Sequence, residues 1–92
     1  MMDGQVVNNE AASQYELANG AGIALAAYNL DGNVVSFTHT EVPEEMEGQG
    51  IGTRLVAGAL QDVRARGLKI VPLCSFVRHY VETHAEVQGL LA

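Results

Sequence analysis

The sequence has no tryptophan, one cysteine (Cys74), two prolines and five lysines and arginines in 92 residues. A lone cysteine excludes an internal disulfide framework. With no signal-peptide pattern at the start, it fits a reducing, cytoplasmic setting. No apolar run approaches the roughly 20 residues that cross a membrane as a helix, so no membrane role is expected. The shortage of base is also uneven. Residues 1–53 hold eight acids (Asp3, Glu10, Glu16, Asp31, Glu41, Glu44, Glu45, Glu47) and no lysine or arginine. All five bases (Arg54, Arg64, Arg66, Lys69, Arg78) follow, for a net charge of −6. A nucleic-acid partner is excluded on that ground, because it needs a basic stripe to displace counterions from phosphates. His39, His79, His84 and Cys74 have no ligand spacing, so no metal site is expected.

Length excludes a two-lobed enzyme or a complete dinucleotide-binding fold. One domain over residues 1–92 is expected, with 1–14 a weakly patterned segment or short strand around Gln5-Val6-Val7. Hydrophobic residues at 48% against 17% charged describe a compact chain. Tyr15 and Leu17 alternate with polar neighbours, and Asn19-Gly20 marks a turn. Ile23, Leu25 and Ala27 alternate next, and the pair Asp31-Gly32 suits a tight hairpin. Val34 to Val42 reads as a longer strand. From Thr53 the period turns helical, with Leu55, Val56, Ala59, Leu60 and Val63 in one stripe and Gly67 as the stop. Leu68–Leu73 reads as a short buried strand, residues 75–83 as a helix with Phe76, Val77, Tyr80 and Val81 on its apolar side, and 84–92 as a helical turn or two. The fold class predicted is α/β: a small mixed sheet in which an antiparallel meander is followed by a parallel strand-helix-strand unit.

Between meander and helix stands Gly48-Gln49-Gly50-Ile51-Gly52. Glycines let a ligand approach the backbone, and N–H groups at a helix start suit a phosphate or pyrophosphate. The loop lacks the Gly-Lys-Ser/Thr ending of the nucleotide phosphate loop, since Thr53-Arg54 follows Gly52. It also lacks the third glycine of the dinucleotide fingerprint. A glycine-rich turn that merely packs a helix on a sheet is the alternative.

The run from Val42 through Gly48-Gln49-Gly50-Ile51-Gly52-Thr53 to Val56 resembles the acyl-CoA-binding motif of the GNAT superfamily of N-acetyltransferases. With His39-Thr40-Glu41-Val42-Pro43 before it and Lys69 to Val77 after it, the chain is similar to the short, single-domain GNAT-like branch. The resemblance implies a truncated acyl-CoA N-acyltransferase fold, acetyl-CoA or coenzyme A as cofactor, and an amine acceptor on a small molecule or a protein. The strands ending at Val42 and near Pro72 would splay to admit the pantetheine arm. Its amides would pair with backbone at Glu41 and Val42, as an added strand does. The pyrophosphate would lie on Gly48, Gln49, Gly50, Ile51, Gly52 and Thr53, with Ser75 and Phe76 as further cofactor contacts. Glu47 stands where the superfamily usually has Gln or Arg, and Cys74-Ser75-Phe76 where the branch often has Cys-Pro-Phe.

Three residues are candidates for catalysis under this resemblance. Cys74 follows a strand and opens a helix, where a thiolate is stabilised, so it could carry the acetyl group; a buried structural cysteine is the alternative. Tyr80 could protonate the departing sulfur, or be a core tyrosine with a satisfied hydroxyl. Glu41, and His39 two residues before it on the same strand face, could serve as base for the amine, or form a solvated face. Phe76, like Met46, also has a plain packing reading. The acidic first part would draw a cationic amine and the basic second part would face the CoA phosphates. A monomer or weak homodimer is expected. The rivals are a non-catalytic CoA- or acyl-CoA-binding module and a purely structural interaction domain.

Overall fold

The computed structural model describes residues 4–92. Residues 1–3, the beginning of the segment expected to be weakly patterned, lie outside the described residues. Strands β1 (Val6–Asn9), β2 (Gln14–Asn19), β3 (Gly22–Asp31) and β4 (Val34–Glu41) form an antiparallel meander. Helix α1 (Ile51–Ala65) carries the chain to β5 (Lys69–Pro72), which pairs with β4 in parallel, and α2 (Ser75–Glu82) follows. The five strands lie side by side in sequence order. The mixed sheet of the α/β reading is therefore present in the expected order.

The core joins both helices to one face of the sheet. Leu55, Val56, Ala59, Leu60 and Val63 of α1 are buried, as their spacing predicts, and Val77 and Val81 of α2 join them. The sheet contributes Leu17, Val35 and three rings, Tyr15, Tyr28 and Phe37, whose centroids lie 5.4–6.3 Å apart. The tyrosine hydroxyls are not stranded in this apolar setting. Tyr15 donates to Asp62 at 2.7 Å and Tyr28 to Asn8 at 2.7 Å. Burial, and then the bond to Asp62, hold the Tyr15 hydroxyl well above the usual tyrosine range. Where β1 crosses α1 there is no room for a side chain: a Cβ on Gly58 would stand 2.5 Å from Val6 Cγ2.

Four details depart from the pattern read in the sequence. In β3 the buried residues are Ala24, Ala26 and Tyr28, whereas Ile23 is 49% exposed and Leu25 and Ala27 are half-buried. Helices cover one face only, and alanines leave the space that α1 fills. The hairpin turn is Gly32-Asn33 rather than Asp31-Gly32, since Asp31 pairs with Val34 and Gly32 has φ 62°. Helix α1 starts at Ile51, two residues before Thr53, with Gly50 as its N-cap in the left-handed region. Strand β5 is an outer strand in which Ile70 alone is fully buried; its far edge is met by Leu91 and by the Ala92 N–H at 2.9 Å from the Ile70 carbonyl. At the other end of α1 the sequence reading holds. Gly67 has φ 69°, its N–H bonds the Arg64 carbonyl and the Leu68 N–H bonds the Val63 carbonyl, which closes the helix.

Candidate functional site

Strand β4 changes character halfway along. From Val34 to Phe37 it is flanked by β3 and β5, and the last parallel pair is Phe37 with Pro72. The Cys74 N–H then closes on the Phe37 carbonyl at 2.9 Å and the chain turns into α2. From His39 to Glu41 the strand keeps its β3 partners, and among the described residues no strand pairs with its other edge beyond Phe37. β4 thus outruns β5, which stays paired to its last residue, Pro72, rather than splaying from it, and the β5-side backbone of Thr38–Glu41 has no strand partner among the described residues.

A bulge sits where the change occurs. Tyr28 faces Phe37, yet the next β3 residue, Ala27, faces His39, so Thr38 is the extra residue. The insertion moves the alternation by one. Val35 and Phe37 point to the core before it; after it Thr40 does, and Val42 packs against the core too. Thr40 Oγ1 lies 3.3 Å from Cys74 Sγ. His39 and Glu41 project to the opposite, uncovered face, where His39 Nε2 and Glu41 Oε2 are 3.1 Å apart with side chains 59% and 61% exposed.

Cys74 is the N-cap of α2. Burial pushes its thiol up, but the Thr40 hydroxyl and the Val77 and Phe76 N–H groups together outweigh it and hold the thiol below its ordinary value. One side chain and one helix end thus favour the thiolate of the partly buried sulfur.

Phe76, two residues after Cys74, lines a cavity of about 340 Å³ with Val42, Met46, Glu47, Gly48, Gly50, Ile51, Gly52 and Thr53. Gly48 and Gly50 have φ 79° and 71°, and a Cβ on either would meet nothing within 4 Å. Their left-handed conformation turns successive N–H groups the same way. Among the described residues, the N–H groups of residues 48–53 make no hydrogen bond; the first of α1 to do so is that of Arg54, to the Gly50 carbonyl at 3.1 Å. An open cradle of donors at the positive end of a 15-residue helix fits an anionic group such as a pyrophosphate.

Gly52 has a different task. A Cβ there would stand 2.6 Å from Phe76 Cζ, so glycine lets the Phe76 ring lie on the first turn of α1. Phe76 remains 41% exposed and forms one wall of the cavity. Gln49 does not line the cavity and donates to the Glu45 carbonyl at 3.3 Å. Ser75 begins α2 next to Cys74.

Tyr80 does not line the larger cavity. Tyr80 lines a second cavity of about 140 Å³ with Ala57, Leu60, Arg64 and Val87, and its ring stacks on His84 at 3.8 Å. Nor do the bases gather at the loop. The guanidinium of Arg54 is on the Gly4 carbonyl, Arg66 is on Asp62, and Arg64, Lys69 and Arg78 are on backbone carbonyls. None lines the larger cavity, whereas Glu47 does. Among the described residues no three His, Cys, Asp or Glu side chains gather as metal ligands, and no helix is long and apolar enough to cross a membrane.

Thr40 is the residue that reading the sequence missed. Simple alternation groups it with the even-numbered residues of β4, away from Phe37. Only the bulge, which has no sequence signature here, turns it toward Cys74.

Comparison with known proteins bears on the family and the fold. A family model described as GCN5-related N-acetyl-transferase matches residues 14–90. Among solved structures, the chain is similar to a GCN5-like protein from Staphylococcus aureus determined by NMR. The TM-score is 0.74 at 26% identity, over 100% of this chain and 91% of that one.

Proposed function

The chain belongs to the GCN5-related N-acetyltransferase family, and from that premise we propose that it binds acetyl-CoA and moves the acetyl group to an amine by way of Cys74. One observation carries the reading: Val42, just past the free edge of β4, and Phe76, two residues after Cys74, both line the cavity that holds the Gly48–Thr53 cradle. The cradle takes the pyrophosphate, and backbone at Glu41 and Val42 takes the amides of the pantetheine arm. Bound acetyl-CoA supplies an activated acetyl thioester. The Cys74 thiolate adds to its carbonyl carbon, a new C–S bond forms, and the bond to the CoA sulfur breaks with CoA leaving as thiolate. One thioester replaces another, so the exchange is close to thermoneutral. Thr40 and the start of α2 favour the Cys74 thiolate for it. The acceptor then takes the acetyl group from Cys74.

The test is intact-mass analysis after exposure to acetyl-CoA, with wild type beside Cys74→Ser. One acetyl mass on Cys74 that disappears on adding an amine supports the reading. Full turnover by Cys74→Ser overturns it in favour of direct attack on acetyl-CoA. Saturable CoA binding with neither adduct nor turnover makes the chain a binding module. Placement of the phosphates is checked by calorimetry: Gly50→Val, which loads a branched side chain onto φ 71°, should weaken CoA binding by roughly tenfold or more.

A further inference from the structure

The second cavity serves no step of the proposed acetyl transfer and shares no lining residue with the larger cavity. We propose that it binds a small zwitterion, a free α-amino acid of the size of glycine or alanine, with the carboxylate on Arg64 and the ammonium on Glu86. This inference depends neither on Cys74 nor on the placement of CoA.

Three segments build the cavity. Helix α1 brings Ala57, Leu60, Gln61 and Arg64, which recur at helical spacing along one face. Helix α2 brings Tyr80 from its last turn. The short 3-10 helix Ala85–Leu90 brings Glu86 and Val87. The Tyr80 wall is held in place, because its ring stacks on His84 at 3.8 Å and His84 Nδ1 lies 2.8 Å from the Tyr80 carbonyl oxygen. Leu60 and Val87 are both buried and give the cavity an apolar floor. A volume of about 140 Å³ takes a ligand of about five or six non-hydrogen atoms. Glycine and alanine are of that size.

Charge selects among ligands of this size. The Arg64 guanidinium donates to the Glu86 carbonyl, which ties α1 to the 3-10 helix and fixes a cation at the cavity. Among the described residues neither Arg64 nor the Glu86 carboxylate has an ion-pair partner, and the two do not pair with each other. Burial, and then the Glu86 carboxylate, hold the Tyr80 hydroxyl above its ordinary value, so that carboxylate stands within electrostatic reach of the Tyr80 wall. A cation and an anion therefore line one small cavity without neutralising each other. Arg64 spends a donor on the carbonyl and keeps others for a carboxylate. The Glu86 carboxylate only accepts, and an ammonium suits it. A ligand with a single charge is drawn by one of the two and repelled by the other, whereas a zwitterion is drawn by both. An α-amino acid carries its two charges across one carbon and sets its side chain over the apolar floor.

The backbone amides of Ala57, Gln61 and Val87 report on the site by NMR while alanine is added to the full chain at constant ionic strength. Their shifts should saturate with a dissociation constant on the order of 1 mM. Propionate and ethylamine, with one charge each, should bind at least about tenfold more weakly. Glu86→Gln removes the anion but keeps the carbonyl that Arg64 holds, so the cavity persists; it should weaken alanine about tenfold. Arg64→Gln should weaken it by a similar factor, and Arg64→Lys should recover part. Saturating CoA should leave the alanine shifts in place. No saturation up to about 50 mM alanine overturns the site. Equal affinity for propionate, or wild-type affinity in Glu86→Gln, overturns the zwitterion. Displacement of alanine by CoA gives the cavity to the cofactor and overturns a second ligand. Arg64 and Glu86 are exposed, so their replacement does not threaten the fold.

Discussion

The two halves of β4 share a strand and differ in nearly everything else. Val34–Phe37 is paired on both sides and sends Val35 and Phe37, 2% and 1% exposed, into the core. Thr38–Glu41 is paired on one side, carries no fully buried residue, and holds every side chain that the proposed chemistry uses on this strand. One half supplies stability and the other gives it up for an open edge, with a single inserted residue marking the border. The comparison teaches that the site is made by ending a strand pairing early rather than by adding a loop. Substitutions on the two sides of the bulge should therefore have opposite signatures.

Phe37→Ala should give the largest effect and strike stability. It removes a fully buried ring from between Tyr15 and Tyr28, with centroids 6.1 and 6.3 Å away. A loss of about 3–5 kcal/mol is expected, read from urea unfolding. That is a large share of what a domain of this size commands. A loss below about 1 kcal/mol would mean that the doubly paired half does not hold the core together.

Thr40→Val sharpens the other side. It should change unfolding by less than about 1 kcal/mol, because Thr40 is neither fully buried nor paired on both edges. Its effect is on Cys74. The Thr40 hydroxyl favours the thiolate, so its removal shifts the thiol upward and lowers the ionised fraction at neutral pH. Iodoacetamide should alkylate the variant roughly tenfold more slowly near pH 7. The two rates should converge at high pH, where both thiols are ionised. An unchanged rate at pH 7 would show that backbone N–H groups, of Thr40 and of the start of α2, favour the thiolate without the hydroxyl.

This contrast also explains what the sequence could and could not disclose. The stripe Leu55, Val56, Ala59, Leu60, Val63 is periodic and sits on one helix, so burial followed from spacing alone. Gly67 works as a stop because the conformation it needs is local. The glycine loop was legible as a helix-opening turn for the same reason, and the left-handed conformation of Gly48 and Gly50 is what the structure adds. What escaped depends on partners distant in the chain. The phase of β3 is set by which sheet face α1 covers, and Ile23 and Ala24 look alike in a pattern of apolar residues. Thr40 meets Cys74 across 34 residues and only because of the bulge. Tyr80 shares a helix with Cys74, yet helical phase turns it to α1 and His84. The division of charge at residue 53 was visible, but not that each base would be held by a carbonyl or carboxylate of its own chain.

That last point leads to the smallest effect. On the proposed reading the cradle would hold an anion with backbone donors alone, and the one charged side chain on the cavity wall is Glu47. A carboxylate there opposes a pyrophosphate. At an exposed position the repulsion is modest, about 1 kcal/mol at contact and less through water. Glu47→Gln should therefore tighten CoA binding about threefold at low salt, with the gain fading as salt rises and screens it. Pantetheine, which has the arm without the phosphates, separates charge from shape. Its affinity should be the same for both proteins. A gain that also appears with pantetheine, or that persists at high salt, would mean that Glu47 acts on the shape of the cavity. The open half of β4 would then owe its ligand preference to packing around Phe76 and Met46 rather than to the donors of the loop.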